Sequence, residues 1–339
     1  MVRRKKESSS NVSIEDVARL AGVSITTVSR VINKFPSVKE RNKRKVLDVV
    51  KDLHYQPSIL AQRLATGKSN VIALVVPRYE GMFYSFYLLE LIRGIGTLCE
   101  ALKLDLLLHL TDSRSSISVR GAGGMIFSDL IGNRHQLEAA LQQNIPSIVI
   151  NYYVKDLDVD CIAVDNKGGA FSAVEYLISH GHTKIAHITG DIVTQAAADR
   201  LAGYQEALVK YNIPVRKEYI LKTDYSRGQA RQAAETLFKL ADQPTALFIA
   251  SDSMALEVMA VAREFGKNVP QDISIIGFDD NPSGLYGPVA LTTVRQPLIK
   301  MAQESVKRLS LVMSSKKRPK TEKIFLPTEL VIRESCRSL

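Results

Sequence analysis

The stretch SIEDVARLAGVSITTVSRVIN, residues 13–33, has the pattern of two short helices joined by a sharp turn. Ser13, with an acidic residue three positions later, fits a helix N-cap, Gly22 permits the turn, and Ser24 can cap the second helix. Each cap is followed by apolar residues at helical spacing, first Ile14, Val17, Ala18 and Ala21, then Val28, Val31 and Ile32. A third amphipathic segment runs from about residue 38 to residue 53. Together they predict a small all-α helix-turn-helix domain.

The polar face of the second helix is suited to reading DNA bases. Such a helix can lie in the major groove, where Arg30 can offer two donors to guanine, Thr26 can hydrogen-bond and Ile25 can meet a thymine methyl. The alternative interpretation is an ordinary solvated helix face. The predicted DNA contacts of this domain are Ser24, Ile25, Thr26, Thr27, Ser29, Arg30, Asn33 and Tyr55.

Positive charge is concentrated at the amino-terminal end of the chain. Residues 1–70 carry 15 Lys+Arg against 6 Asp+Glu, a net charge of +9, whereas residues 71–339 carry 30 against 29. A basic segment on a nearly neutral body is typical of a nucleic-acid-binding module joined to another domain. For the arm Arg3–Lys6 alone, a solvated tail that aids solubility is an equally good interpretation.

The composition argues against several other classes of protein. The longest apolar runs are seven residues, far short of a bilayer span, and residues 1–12 lack the apolar core of a secretory signal. The cysteines lie far apart, at Cys99, Cys161 and Cys336, so neither a disulfide framework nor a zinc site is expected. No nucleotide-binding or catalytic motif appears. We therefore expect a cytoplasmic protein without enzymatic activity, cofactor, metal or membrane association.

The rest of the chain alternates between apolar, β-rich runs and amphipathic helical stretches. The predicted strands include Val71–Pro77, Cys161–Val164, Ala246–Ala250 and Ile273–Phe278. Continuously apolar strands that alternate with helices indicate parallel sheets covered on both faces. Because about 270 residues are too many for one open sheet, we predict an α/β body of two lobes, each a doubly wound parallel sheet, with a cleft between them. The connection over 111–124 is expected to be irregular, because it is short and rich in Ser, Arg and Gly.

Segments along nearly the whole chain resemble the LacI/GalR family of bacterial transcription regulators. The resemblance begins with IEDVARLAGVSITTVSRVIN (14–33) and LHYQPSILAQRLATGKS (53–69). It continues through GHTKIAHITG (181–190), RLAGY (200–204), SDSMALEV (251–258), ISIIGFDD (273–280), LTTVRQP (291–297) and PTELVIRES (327–335). Membership implies a repressor that acts as a homodimer on a near-palindromic operator in double-stranded DNA. It also implies a periplasmic-binding-protein-like body whose cleft binds a small-molecule effector, a sugar or related metabolite.

The resemblance and the element pattern together predict the domain boundaries. A DNA-binding domain is expected over 1–56 and a hinge helix over 57–69. The N-terminal lobe is expected to comprise 70–165 and 295–322, and the C-terminal lobe 166–294 and 323–339.

The hinge segment has the pattern of a short, marginal helix. Pro57 suits its first turn and Gly67 its end, but so few residues are not stably helical alone in water. We expect it to order only with DNA and the partner subunit. In the family, the leucine that matches Leu64 wedges into the minor groove; the alternative is that Leu64 packs on the protein. The predicted DNA contacts of the hinge are Gln62, Arg63 and Leu64.

Carboxylates that end predicted strands indicate the candidate cleft. Ligands of doubly wound sheets gather beyond the carboxyl ends of the strands, and Asp165, Asp252 and Asp279 each follow an apolar run. The alternative role of these aspartates is N-capping of the next helix. The family resemblance implies effector contacts at Arg200 and Asp279, and at Ser251 or Asp252.

Aromatic residues crowd the segment RYEGMFYSFY (78–87), where the sequence departs from the family pattern. Tyr87 is the residue of this segment that we expect in the pocket. The predicted effector-binding residues are therefore Tyr87, Asp165, Arg200, Ser251, Asp252 and Asp279.

Two other functions stay open at this point. The body also resembles a solute-binding receptor of the periplasmic type, although the basic amino-terminal end speaks against that function. The second is a regulator that is controlled mainly by a partner protein.

Overall fold

The computed structural model describes residues 12–33, 35–55, 69–79, 81–112 and 121–339 of the chain. They fall into two compact units, Met1–Ser69 and Asn70–Leu339. Within the described ranges, no helix is both long and apolar enough to cross a membrane. The predicted hinge contacts Gln62, Arg63 and Leu64 lie outside the described residues, and so do residues 113–120 of the connection that was expected to be irregular.

The first unit is the predicted helix-turn-helix domain. Its helices are α1 (Ile14–Ala21), α2 (Ile25–Ile32) and α3 (Glu40–Asp52). Ser13 caps α1 in a reciprocal capping box with Asp16, and Gly22 ends it in the left-handed conformation with φ 64°. The apolar stripes of the three helices meet in a core that contains Val17, Ala18, Ala21, Val28, Val31 and Val46. The caps and stripes therefore produce the turn that the sequence predicts.

The second unit alternates strands and helices along the chain. Its strands are β1 (Val71–Pro77), β2 (Asp105–Thr111), β3 (Gly124–Phe127), β4 (Ser147–Ile150), β5 (Asp160–Val164), β6 (Ile185–Ile188), β7 (Ile220–Leu221), β8 (Ala246–Ile249), β9 (Ser274–Asp279), β10 (Thr292–Arg295), β11 (Lys323–Leu326) and β12 (Glu329–Val331). Its helices are α4 (Phe86–Leu102), α5 (Arg134–Gln142), α6 (Asn166–Ser179), α7 (Gln195–Lys210), α8 (Arg227–Phe238), α9 (Asp252–Glu264) and α10 (Leu298–Ser314).

The strands form two sheets, which confirms the predicted fold class. Among the described residues each sheet has six strands, in the orders β11-β5-β4-β3-β1-β2 and β12-β10-β9-β8-β6-β7. The first sheet pairs in parallel throughout, and the second is parallel except for β10 with β12. The central strands β3, β4, β6 and β8 are buried along their whole length, because helices cover both faces.

The expected lobe boundaries near the carboxyl end are wrong for two strands. Lys323–Leu326 pairs with β5 in the first sheet, although 323–339 was expected in the C-terminal lobe. Arg295 ends β10 in the second sheet, although it was expected in the N-terminal lobe. Strand β11 was not predicted, because it is short and half exposed and lacks the continuous apolar run that identified the other strands of the first sheet.

Helix α10 was not predicted, and it packs against the first sheet. Its residues Leu298, Met301, Ala302, Val306 and Leu309 share one core with β1 and α4. It approaches α4 so closely that a Cβ on Gly94 would lie 2.7 Å from Cβ of Ala302. The chain therefore passes between the two sheets more than once.

Candidate functional site

The exposed face of α2 carries the predicted base-reading residues together. Ile25 is 47% exposed, and Thr26 and Arg30 are also exposed. Val28 and Val31 on the opposite side are buried. A short helix with an apolar back and a polar, cationic front is the arrangement that major-groove recognition requires.

Three other predicted contacts support the domain structurally. The Ser24 hydroxyl accepts a hydrogen bond from the backbone N–H of Thr27 at 3.2 Å, and the two hydroxyls lie 2.9 Å apart. Asn33 ends α2 and donates from Nδ2 to the carbonyl of Ser29 at 2.9 Å. Ser24 and Thr27 thus build the end of α2 that would approach DNA.

Tyr55 is placed in the core and not on the exposed face of α2. It is 9% exposed and belongs to the cluster formed by α1, α2 and α3. Burial raises the pKa of its phenol. Its position indicates a packing role within this unit.

In the second unit, Arg200 joins three elements at the carboxyl edge of the second sheet. The side chain is 4% exposed and donates from Nε to Oδ1 of Asn166 at 2.9 Å. A second donor, Nη1, bonds to the carbonyl of Ala250 at 2.5 Å. The guanidinium also stacks 3.7 Å from the ring centre of Phe278. Because Arg has five N–H donors, several stay available for a ligand.

Asp279 ends β9 close to Arg200. Its φ is 123°, in a region that non-glycine residues rarely adopt, and strained residues of this kind cluster at ligand sites. Its Oδ1 accepts a hydrogen bond from Nε2 of Gln296 at 2.6 Å. Burial raises the pKa of the carboxyl to about 6, although the charge of Arg200 opposes the rise. The Oε1 atom of Gln296 is buried without a hydrogen-bond partner among the described residues.

The buried carboxylate of Asp252, at the start of α9, hydrogen-bonds to β10 and to the segment after β9 and does not cap a helix. Its Oδ1 accepts the hydroxyl hydrogen bond of Thr293 at 2.6 Å, and Oδ2 accepts the backbone N–H of Asn281 at 2.7 Å. Burial and the nearby charge of Asp279 raise its pKa well above the ordinary value. A Cβ on Gly277 would lie 2.1 Å from Oδ1, so the glycine makes the room for this carboxyl.

The other strand-end residues of the prediction are helix caps. Ser251 accepts the N–H of Met254 at 3.4 Å and caps α9. Asp165 accepts the N–H of Gly168 at 2.8 Å, caps α6 and is exposed. The capping alternative therefore describes the contacts of both residues.

Tyr87 lies at the carboxyl edge of the first sheet. Its hydroxyl donates to the carbonyl of Ser128 at 2.8 Å. Burial and the charge of Asp129 raise the pKa of the phenol, whereas the charge of Arg200 opposes the rise. Groups from both sheets therefore act on one another across the cleft.

The sequence reading missed three polar cleft residues. Oδ1 of Asp129 accepts the N–H groups of Leu130 and Ile131 at 2.6 and 3.0 Å, and burial raises its pKa. Asn151 follows β4 with φ 58°, and its Oδ1 is buried without a hydrogen-bond partner in the described part of the chain. Both residues follow apolar strands closely, so the rule that selected Asp165 could also have selected them.

Tyr225 is the third missed residue. Its ring packs against Gly190, where a Cβ would lie 2.0 Å from the nearest ring carbon. Burial raises the pKa of its phenol, and the charges of Asp129 and Asp279 add to the rise. An aromatic ring beside these carboxylates provides an apolar wall for a small ligand.

A side-chain amide bridges the two lobes beside the cleft. The backbone N–H of Tyr153, which follows β4, donates to Oε1 of Gln195 at 2.5 Å. Nε2 of Gln195, at the start of α7, donates back to the Tyr153 carbonyl at 3.4 Å. The ring of Tyr153 stacks on Phe325 of β11, with centres 5.1 Å apart. The described residues include no group of three or more His, Cys, Asp or Glu that could hold a metal ion.

Comparisons with known proteins agree with this geometry. The family model of bacterial regulatory proteins, lacI family, matches residues 13–58, and that of the periplasmic binding protein-like domain matches residues 174–336. The chain is 35% identical over 335 residues to the probable HTH-type transcriptional repressor ExuR of Bacillus subtilis, with 97% of this chain and 99% of the relative covered. This protein belongs to the LacI family.

Other LacI-family members are similar over the same length. Catabolite control protein A of Priestia megaterium is 31% identical, with 96% of this chain and all of the relative covered. The lac repressor dimer bound to operator and the anti-inducer ONPF has a TM-score of 0.84 at 26% identity, with 97% of this chain and 100% of that chain covered. The complex of the regulator CelR with cellobiose has a TM-score of 0.73 at 26% identity, with 96% and 99% covered. The similarity to LacI-family proteins thus extends over both units.

Proposed function

We propose that this LacI-family protein is a homodimeric repressor, not an enzyme, that binds a near-palindromic operator in the bacterial cytoplasm. The observation that carries the DNA-binding part is the exposed face of α2, with Ile25, Thr26, Ser29 and Arg30 above a buried apolar stripe. Ser24, Thr27 and Asn33 position this face at the two ends of α2. By family resemblance, Gln62, Arg63 and Leu64 add contacts near the operator centre. The solved dimer of the lac repressor on its operator supports this assignment.

The effector that we propose is a hydroxyl-rich small molecule, a sugar or related metabolite. Its hydroxyls can donate to Asp279 and to the buried, unpartnered oxygens of Asn151 and Gln296. Unpaired buried acceptors are costly, so a ligand that donates to them gains affinity. Arg200 supplies donors in return, and Tyr87 and Tyr225 supply apolar walls. The cellobiose complex of CelR is a precedent within the family.

Effector binding and DNA binding would be coupled through the relative position of the two lobes. The bridge between Tyr153 and Gln195 joins the lobes beside the cleft and must change if they move apart. A ligand that favours one lobe arrangement then shifts the affinity for operator, and operator shifts the affinity for the ligand by the same factor. Control by a partner protein is the second function, and a ligand screen that finds no small molecule would favour it.

Arg30→Ala is expected to weaken operator recognition and to relax base preference. Selection from random duplexes should first yield an inverted repeat, because a twofold dimer reads two half-sites. Loss of a bidentate contact to guanine costs about 1–3 kcal/mol, roughly 5- to 150-fold in affinity for that sequence. Arg263→Ala, on an exposed arginine of the second unit, is the matched control. Fluorescence anisotropy measures the affinity of each variant for the selected and for the scrambled duplex, and the ratio of the two affinities gives the base preference. Equal affinity of the unaltered protein for the two duplexes would contradict the proposed function.

Effector affinity is expected to fall as the pH drops through 6. The carboxyl of Asp279 has a pKa of about 6, and a ligand hydroxyl donates to its ionised form. Protons therefore compete with the ligand below this pH, and affinity should drop by up to about tenfold per pH unit. Calorimetric titration between pH 5 and pH 8 measures the profile. Asp279→Asn should bind more weakly and with a flat profile, whereas an unchanged slope in this variant would assign the dependence to another group.

A further inference from the structure

A basic loop joins α10 to β11 in the first lobe, and we define it as residues 315–322. Its cations Lys316, Lys317, Arg318 and Lys320 are all exposed. Residues 316–323, which also include Glu322 and Lys323, carry a net charge of +4, whereas the whole of residues 71–339 carries +1. The rest of residues 71–339 is therefore net negative, and the excess of positive charge in this unit comes from the segment 316–323.

The backbone of the basic loop is held by a buried ion pair. Arg308 of α10 is 9% exposed and donates from Nε to Oδ1 of Asp160 at 2.8 Å. The same guanidinium bonds to Glu322 at 2.7 Å and to the carbonyl of Lys320. The buried guanidinium of Arg308 thus links α10 and β5 to two positions of the loop.

A second set of hydrogen bonds fixes the middle of the basic loop. Arg318 donates from Nη2 to the carbonyl of Asp158 at 2.9 Å, and the hydroxyl of Thr321 donates to Oδ1 of Asp158 at 2.5 Å. None of the side chains of Lys316, Lys317 and Lys320 has an acidic partner within ion-pair distance among the described residues. The loop thus presents three unpaired ammonium groups on an ordered backbone.

The basic loop lies at the amino-terminal ends of the parallel strands of the first sheet. The chain from the DNA-binding unit enters the second unit at the same ends. Strands β1, β5 and β11 belong to one parallel sheet, so Val71, Asp160 and Lys323 begin them at the same edge. Asn70, the first residue of the second unit, immediately precedes β1. Four strand spacings separate β11 from β1, about 19 Å.

We propose that the basic loop binds the phosphate backbone of DNA that flanks the operator. The proposal rests on the proposed function, because it needs DNA to be bound by the first unit. Residues 56–69, which join the first helices to Asn70, reach at most about 50 Å when fully extended. The first unit, with the DNA that it holds, is therefore covalently tethered to the lobe that carries the basic loop, which raises the effective concentration of DNA there. The three unpaired ammonium groups attract such a polyanion without reading its sequence.

The salt dependence of operator affinity tests the proposal. Replacing three lysines together, Lys316→Gln, Lys317→Gln and Lys320→Gln, removes charge from exposed side chains and leaves the hydrogen bonds of Arg318 and Arg308 in place. Each neutralised phosphate contributes about 0.9 to the slope of log affinity against log salt. On an operator with about 20 base pairs, two helical turns, on each side, the slope should become shallower by about 5, because the two subunits of the dimer together lose six lysines. On an operator without flanks, the slope should equal that of the unaltered protein.

Matched measurements separate the possible results. The control variant carries Lys217→Gln, Lys222→Gln and Lys239→Gln on exposed lysines of the second lobe and should keep the original slope. An unchanged slope of the loop variant on the flanked operator overturns the proposal, and so does an equal change on the operator without flanks. Loss of binding to polyglutamate without any change in the DNA slope also overturns it, in favour of an acidic protein partner. If the unaltered protein shows no preference for operator over random duplex, the proposed function itself fails.

Discussion

Asp160→Ala is expected to lower the free energy of unfolding by about 3–5 kcal/mol, because it removes the buried partner of a buried charge. The ion pair of Asp160 with Arg308 joins β5 to α10, and Oδ1 of Asp160 also accepts the backbone N–H of Glu322 at 2.8 Å. Without the carboxylate, Nε of Arg308 and this N–H lose their acceptor in a place that water reaches poorly. Urea unfolding should show a lower midpoint with an unchanged slope.

Two further variants make this prediction specific to the buried charge. Asp156→Ala breaks the exposed ion pair with Arg134 and should leave the midpoint unchanged, because exposed pairs contribute little. Replacing both buried partners, Asp160→Leu with Arg308→Met, should recover much of the lost stability, since no uncompensated charge remains. A double variant as unstable as Asp160→Ala would show that the loss comes from packing and not from the charge.

Arg200→Lys is expected to weaken effector binding strongly while operator binding persists. Lysine keeps the positive charge, but its three donors lie on a single nitrogen and cannot reproduce the planar fork that bonds to Asn166 and Ala250 from two nitrogens while a third faces a ligand. Lost hydrogen bonds to a charged group cost about 1.5–3 kcal/mol, or roughly 10- to 150-fold in effector affinity. Calorimetry with a sugar found by thermal-shift screening measures the loss.

The control for this prediction is an arginine of the same lobe that lies outside the cleft. Arg231 pairs with Glu257 and Glu264 at 2.8 and 2.7 Å, and Arg231→Lys should keep effector affinity. Melting of both variants without ligand checks that the lobe stays folded. Full effector affinity in Arg200→Lys would remove this residue from the binding site.

The helix-turn-helix domain was predictable because local chemistry decides it. The caps at Ser13 and Ser24 and the left-handed turn at Gly22 act within a few residues, and the apolar stripe shows which face is buried. Most of the parallel strands were equally visible as continuous apolar runs, whereas the short strands β7 and β10 were not predicted. By contrast, β11 has only one buried residue among its four and lies at the end of a sheet, so its pairing with β5 depends on distant parts of the chain.

The candidate cleft was predictable only as a location. A carboxylate that follows an apolar strand can have one of three environments. Asp165 caps a helix, Asp252 hydrogen-bonds to a neighbouring strand in the core, and Asp279 lies beside a buried arginine. These outcomes depend on neighbours from other strands, such as Thr293 and Gly277, which are distant in sequence. The pattern around the strand end alone contains no information about them.

The repeated passage of the chain between the two sheets has a consequence for biosynthesis. Strands β1–β5 leave the ribosome first, but α10, which covers one face of their sheet, and β11, which completes its edge, lie after residue 297. Most of the second lobe is synthesised in between. The apolar surface of the nascent first lobe therefore stays uncovered until α10 and β11 have been synthesised. Growing chains with exposed apolar surface aggregate or recruit chaperones. Neither lobe corresponds to a single uninterrupted stretch of the gene, so neither can be excised whole by truncation.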